Sequence, residues 1–489
     1  MRITNTMMVN STLANIAINK QQMNTLDTQL ATQKKISRPS EDPIIAIRAL
    51  RLRSSLSQVT QYLKKNIPDA DSWLSTTDGA LDECTSILND LTEYCNQGSN
   101  DTFATSERDT IAESLANLKE AFYAQGDVDY AGRYVFTGYA TDTTLTYQKA
   151  ATEDYTITQP FTASDLDTKM VYQNTISTTD VTKSLSVLSA QTTPSSTEVY
   201  RLRLGYSDVE TNGFSFTYGS PATTCSVSAA GVATGVTVTT DANYVPADGE
   251  VAYNSTTGEI IMGKTVYTSA KAANAMSVTY DKKNFAKGDV RPAMYYNCKD
   301  NTSGITYTKK DESIEYDVNF SQKLKINTQA DEAFNINLGR DIDDLSNSVQ
   351  YVLDIEAKQA EVKKMLSQDA YSDEDSQEKL KIMQESLKKE YDLAHDAMQS
   401  AFEAGITKMQ GYQQQVTSAQ ADVGNRQTRL KLTASRLTEQ QTNFTNLKSK
   451  NEDIELEEVV VNYSAAELVY NASLTSASKV VKQTLLDFL

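Results

Sequence analysis

The one histidine, His395, limits what this chain of 489 residues can do chemically. A HExxH metal helix needs two imidazoles, so it is excluded, and His-rich zinc sites go with it. His395 lies in EYDLAHDAMQS, a helical stretch without the Cys or Ser constellation that a nucleophilic triad needs, and reads as a surface or rim side chain. Asp341, Asp343 and Asp344 could hold a cation, but they stand at an expected helix start, where the dipole favours acids. The run YSDEDSQEK at 371–379 lacks the glycine and terminal glutamate of a calcium loop and reads as a solvated connection or helix start.

Cys84, Cys95, Cys225 and Cys298 are too scattered for a CxxC pair or a disulfide framework. On one straight helix Cys84 and Cys95 would stand roughly 16 Å apart, beyond disulfide reach, so all four read as free or buried thiols. GxSxG, Walker A and GxGxxG patterns are missing, and the lone Trp73 reads as a core anchor. No catalytic residue, metal or cofactor is expected, and the chain is read as not being an enzyme.

Charge narrows the partners. With 64 acids against 46 bases the net charge is -18, which disfavours phosphate backbones and anionic lipid. No run of 18 apolar residues occurs, and the start lacks a basic segment followed by an apolar core, so neither membrane insertion nor a cleaved signal peptide is expected. Any export needs another route.

The elements that would carry such residues follow from the helix breakers. All 8 prolines fall at or before Pro292, no glycine precedes Gly79 and none follows Gly424, so the two ends are free to form long helices. Tyr, Thr and Val concentrate between, with strand-like runs at Val199, Leu202 and Leu204, at Val236 and Val238, and at Ile314, Tyr316, Val318 and Phe320. Asp-Gly-Glu at 248–250 and Thr-Thr-Gly-Glu at 256–259 read as hairpin turns in a small sandwich or barrel. The expected class is α+β: a long antiparallel bundle or coiled coil made by both ends, with an inserted β-rich domain. The expected divisions are 1–40 with 452–489 as a terminal coiled coil, 41–138 with 330–451 as a helical rod, and 139–329 as a β insert of one or two subdomains.

Two stripes suggest how the ends are used. Positions spaced alternately four and three apart read Val9, Leu13, Ile16, Lys20, Met23, Asp27 and Leu30, apolar but for Lys20 and Asp27, and Val460, Tyr463, Tyr470, Leu474, Val481 and Phe488 give a matching seam. An isolated helix pair would still expose Leu26, Val461, Leu468 and Val469, so further copies are expected to cover them. Val416, Val423, Leu430, Leu437 and Phe444 repeat every seven residues, while Arg426, Arg429, Lys431 and Arg436 read as solvated or rim charges. Helices also fit 44–66, 70–97, 104–125 and 341–367. Between the first two helices, Arg38, Pro39, Ser40, Asp42 and Pro43 read as a joint, with a capping hydroxyl, acids at a helix start and a proline where no amide bond is lost.

Particular stretches carry a resemblance. Met1-Arg2-Ile3-Thr4-Asn5, Lys35-Ile36-Ser37-Arg38-Pro39-Ser40-Glu41-Asp42-Pro43 and Gly132-Arg133-Tyr134-Val135-Phe136-Thr137-Gly138-Tyr139 closely resemble the flagellar hook-associated protein 3 family, hook-filament junction proteins related to flagellin. Gly424-Asn425-Arg426, Glu452-Asp453-Ile454-Glu455-Leu456 and the final Thr484-Leu485-Leu486-Asp487-Phe488-Leu489 resemble that family's C-terminal arm. Ser321 replaces the glycine expected of the family in IEYDVNFSQKLKINTQADEAF, and flagellin is the alternative, although its joint usually reads Asp-Asp-Ala-Ala-Gly where this chain has Glu41-Asp42-Pro43-Ile44-Ile45-Ala46. The resemblance implies an extracellular structural ring of subunits between hook-associated protein 1 and the flagellin filament. It also implies uncleaved export through the flagellar type III apparatus with a chaperone on the C-terminal arm. A secreted adhesin on a helical stalk is a more distant alternative.

Overall fold

A computed structural model describes residues 5–100, 105–190 and 193–486. Eleven α-helices and sixteen strands are assigned among them. The chain divides into two compact units, 1–71 with 316–324 and 428–489, and 72–315 with 325–427.

The first unit is mainly helical. It holds α1 (Asn5–Thr32), α2 (Pro43–Gln61), the start of α3 (Ile67–Gly98), the last part of α10 (Glu374–Glu452) and α11 (Leu456–Leu486). The helices expected at 44–66 and 70–97 run on from one to the other through Pro68. Tyr62–Asn66 forms a π turn in which Ile67 N–H reaches the Tyr62 carbonyl, and this wider turn takes up a proline that has no amide to give. Most of a small hairpin, β15 (Glu315–Asn319) and β16 (Gln322–Lys325), also lies in this unit. Phe320 at its turn meets the Tyr62 ring edge-on at 5.7 Å, and Asn66 donates to the Asp317 carbonyl at 2.8 Å.

The second unit joins helices to two sheets. Its helices are most of α3, α4 (Thr105–Ala124), the short α5 (Leu185–Ala190), α6 (Lys264–Ala273), α7 (Pro292–Tyr295) and α8 (Ala330–Ala333), α9 (Ile336–Leu366) and the first part of α10. Close packing of α3 on α10 depends on a missing side chain, because a Cβ on Gly98 would lie 2.6 Å from the Phe402 ring. Trp73 is 1% exposed, with the Arg133 guanidinium 5.0 Å above its ring, as a core anchor should be. Cys84 and Cys95 are buried on α3, and Cys225 and Cys298 are buried on strands.

A ribbon of β1 (Asp129–Tyr130) and β2 (Arg133–Tyr134) precedes the sheets. The larger sheet has seven strands in the order β14 (Thr306–Tyr307), β13 (Asn297–Asp300), β3 (Ala151–Phe161), β12 (Met276–Phe285), β6 (Ser215–Tyr218), β7 (Thr223–Val227), β8 (Ala233–Thr234). Its spine is the long β3–β12 pair, whose buried Ile157, Phe161, Met276, Val278 and Tyr280 recur at the period of two that places them on one face. The smaller sheet runs β4 (Leu166–Gln173), β5 (Ser195–Arg203), β11 (Glu259–Met262), β10 (Val251–Asn254), β9 (Thr237–Thr239). Phe214 stacks on Tyr253 of β10 at 3.9 Å, one point where the two sheets meet.

Residues 256–258 do form the hairpin turn expected between β10 and β11, but 248–250 do not. They precede β10, which pairs in parallel with β9 and so needs a longer connection than a hairpin.

Candidate assembly interface

In the first unit α1 and α11 pair along most of their length. The half-buried side of α1 is Val9, Thr12, Ile16, Asn19, Met23, Leu26 and Leu30; that of α11 is Val459, Tyr463, Ala466, Tyr470, Ser473 and Ala477. Of the seam residues expected from spacing, Val9, Ile16, Met23, Leu30, Tyr463 and Tyr470 therefore lie on it. Leu13, Val460 and Leu474 do not: they are 57%, 46% and 43% exposed. The seven-residue repeat is right, but the intermediate positions come three residues on in α1 rather than four, so Thr12, Asn19 and Leu26 replace Leu13, Lys20 and Asp27. Polarity misled the spacing here, because Asn19 donates to the Ser473 hydroxyl at 2.8 Å across the seam. Nothing is described of the Val481 side chain, and Phe488 lies outside the described residues.

The outer faces of the pair are apolar. Ile18, Val461, Leu468 and Val469 are 61%, 67%, 72% and 50% exposed. Ile44, Ile47 and Leu50 add a second exposed stripe at helical spacing along α2. Solvent-facing Leu, Ile and Val at this density on adjoining helices mark an interaction surface rather than ordinary scatter.

The joint is built differently from the expectation. Asp42, not the Ser40 hydroxyl, caps α2: its carboxylate accepts from Ile44 and Ile45 N–H at 2.9 and 3.1 Å, with Pro43 in the first turn. Arg38, Pro39 and Ser40 are exposed, and the Arg38 carbonyl accepts from Glu41 N–H. What ties the two chain reversals together is a bridge between Lys34 and Asp453, with Lys35 N–H donating to the Glu452 carbonyl at 2.8 Å. Glu452 is 4% exposed and is gripped by Arg53 through two hydrogen bonds of 2.7 Å. Those bonds hold its carboxyl below the usual range against the opposing effect of burial. Arg53 carried no motif that could have marked it; Glu452 did, as part of the Glu-Asp-Ile-Glu-Leu stretch.

Charged candidates in the second unit are structural. Asp341 lies in the second turn of α9, is 3% exposed, and meets Arg203, Lys408 and Tyr412 at 2.5, 2.9 and 2.5 Å. Asp344 meets Arg201 and Arg203, and Asp343 meets Lys119. The dipole explanation thus gives way to ion pairing. Arg201 also holds Glu259 at 2.6 Å and Asp167 at 3.1 Å. Burial alone would raise Glu259, but the Arg201 and Lys169 charges reverse this and bring it down to about 2; Asp167 falls to about 2 in the same way, against its burial, beside Arg201 and Lys408. Among the described residues no group of three metal-ligating side chains gathers.

His395 is not a rim residue. It is 8% exposed, stacked on Tyr391, and its Nε2 lies 3.0 Å from Nη2 of Arg108. A guanidinium only donates, so Nε2 accepts and the ring proton sits on Nδ1. Arg426 is likewise partly buried, donating to the Asn327 carbonyl at 2.7 Å and paired with Asp422, whereas Arg429, Lys431 and Arg436 are exposed. Val416, Val423, Leu430 and Leu437 are buried as their repeat requires, and Phe444 is half-buried.

Two family profiles match the helical ends: the bacterial flagellin N-terminal helical region over residues 3–141 and the bacterial flagellin C-terminal helical region over 406–489. At both helical ends the chain is similar to bacterial flagellins. Flagellar hook-associated protein 3 of Salmonella typhimurium is 28% identical over 144 residues, covering 29% of this chain and 45% of that protein. A flagellin of Salmonella paratyphi A is 29% identical over 278 residues, 56% of this chain and 48% of that one. The chain thus spans about half the length of the relatives it matches. Among solved structures, flagellar hook associated protein-3 of Legionella pneumophila aligns over 82% of this chain and 98% of its own, at 11% identity and a TM-score of 0.32. No helix among the described residues is long and apolar enough to cross a membrane.

Proposed function

We propose that this chain is a non-enzymatic structural subunit of the bacterial flagellum, placed at the junction between hook and filament. The observation that carries the reading is that α1 and α11 satisfy each other along one seam and still expose Leu13, Ile18, Val461 and Leu468. Covering such side chains gains on the order of 1 kcal/mol or more each, and copies packed side by side in a tube would supply the cover. The helix pair would complete its folding on assembly, since helices in proteins draw most of their stability from packing of an apolar face. The proposed partners are further copies of the chain in a ring, hook-associated protein 1 on one side and flagellin on the other. Before assembly they are a flagellar export chaperone and the type III export apparatus. Neither nucleic acid nor membrane insertion is part of the reading, and the proposed location is extracellular.

The hook-associated and flagellin relatives differ in where the subunit would sit. Antibody label on intact flagella is expected at a single band where hook meets filament. Label along the whole filament would instead assign the chain as a filament subunit.

A further inference from the structure

The second unit contains a cleft of about 330 Å³ that the assembly reading does not use. Its volume is at the lower end of the range of ligand pockets. The floor is apolar, formed by Phe136, Met294, Ala330 and the rings of Tyr155 and Tyr307, which stand 6.5 Å apart. The rim is cationic. Arg291 gives its Nε–H to the Thr144 carbonyl and sits over the Tyr147 ring, its Cζ 4.3 Å from the centroid, and its two terminal amino groups make no hydrogen bond to a described residue. Lys310 is exposed and makes no ion pair with a described residue. The other charges are already engaged: Lys309 with Asp331 at 2.9 Å, and Glu312 with Tyr139 N–H at 2.5 Å. Two open cations over an aromatic floor, on a protein of net charge -18, call for an acidic segment that carries a ring.

The chain presents such a segment. Between α9 and α10 the turn Asp369-Ala370-Tyr371-Ser372-Asp373-Glu374 is exposed apart from a half-buried Tyr371. Asp369 and Glu374 make no ion pair with a described residue, and Asp373 only caps the next helix through Ser376 N–H at 2.9 Å. We infer that this turn of one copy seats in the cleft of a second, with Tyr371 on the Tyr155 and Tyr307 floor and the acids facing Arg291 and Lys310. The inference rests on the reading of the chain as a subunit that meets copies of itself.

A labelled peptide spanning 366–378, titrated into the full-length chain and followed by fluorescence anisotropy, tests it. Saturable binding is expected, weakened about tenfold or more by Lys310→Glu and by roughly 1 M salt, where the screening length falls to about 3 Å. A peptide with Asp369→Asn, Asp373→Asn and Glu374→Gln should bind as weakly. Lys310 is exposed and unpaired, so its reversal leaves the fold intact. Absence of saturable binding, or equal affinity of the variant chain or the neutralised peptide, overturns the proposal. The assay does not involve α1 or α11, so its failure leaves the terminal-helix reading standing.

Discussion

The two units handle apolar surface in opposite ways. The second closes its core: Phe122, Phe136 and Phe334 pack edge-on at 4.9–5.4 Å, and its buried Arg201, Glu259 and Asp341 are ion-paired. The first pairs two helices and leaves Leu, Ile and Val standing in solvent. A chain that can bury tyrosines and arginines completely in one part has no difficulty making a core, so the open faces of the other part are a property of use. Stability is expected to reside in the second unit and assembly in the first.

The sharpest way to break this contrast is Leu468→Asp. At 72% exposure the residue contributes little to the folded monomer, so Trp73 fluorescence and the unfolding midpoint should stay within about 0.5 kcal/mol of the parent. Polymerisation should be abolished, because a carboxylate would be buried between copies. Normal polymers assembled from the variant would remove the reason for assigning that face to assembly.

Arg201→Met should do the reverse. It leaves Glu259 to Lys169 and Asp344 to Arg203, and removing one partner from a buried pair costs about 3–5 kcal/mol. Urea unfolding followed by Trp73, which lies in the second unit at 1% exposure, measures it. A change below about 1 kcal/mol would mean that the network is solvated in practice.

The same network sets a pH response. Glu259 and Asp167 titrate near 2 in the folded state against ordinary values of 4.5 and 3.8, so the unfolded chain binds more protons as pH falls. Their stabilisation is complete above about pH 4.5 and is lost progressively toward about pH 2. Trp73 fluorescence should report loss of the second unit in that window, and the slope of stability against pH should flatten in Arg201→Met. An unchanged slope would show that other carboxylates drive acid unfolding.

The helical ends were legible because helices advertise themselves through missing breakers and a seven-residue repeat, and α1, α3, α4 and α11 lie where those signals put them. The seam register was not legible: in α1 both Leu13 and Leu26 are apolar, and only the partner helix decides which faces inward. Arg201 and Arg203 were hidden for a related reason. They alternate with Leu202 and Leu204 on a strand covered on both faces, so a reading that puts polar residues outside assigns them to water when they in fact meet acids of α9. His395 shows the same limit, since its burial depends on Arg108, 287 residues away in the chain.

The smallest expected effect concerns the polar step in the seam. Asn19 and Ser473 spend one position of the α1–α11 pair on a hydrogen bond where Val would bury more apolar area. A polar pair at such a position fixes register at some cost in stability, because it is satisfied only when the two helices are aligned. The double variant Asn19→Val with Ser473→Val should therefore raise the stability of the helix pair by about 1 kcal/mol or less, while widening its register. Cysteines placed at 26 and 466 in that background, for which the buried native thiols provide a quiet reference, should cross-link to neighbouring positions as well as to each other. A single cross-linked product would show that register is set at the joint, where Arg53 grips Glu452, and not along the coil.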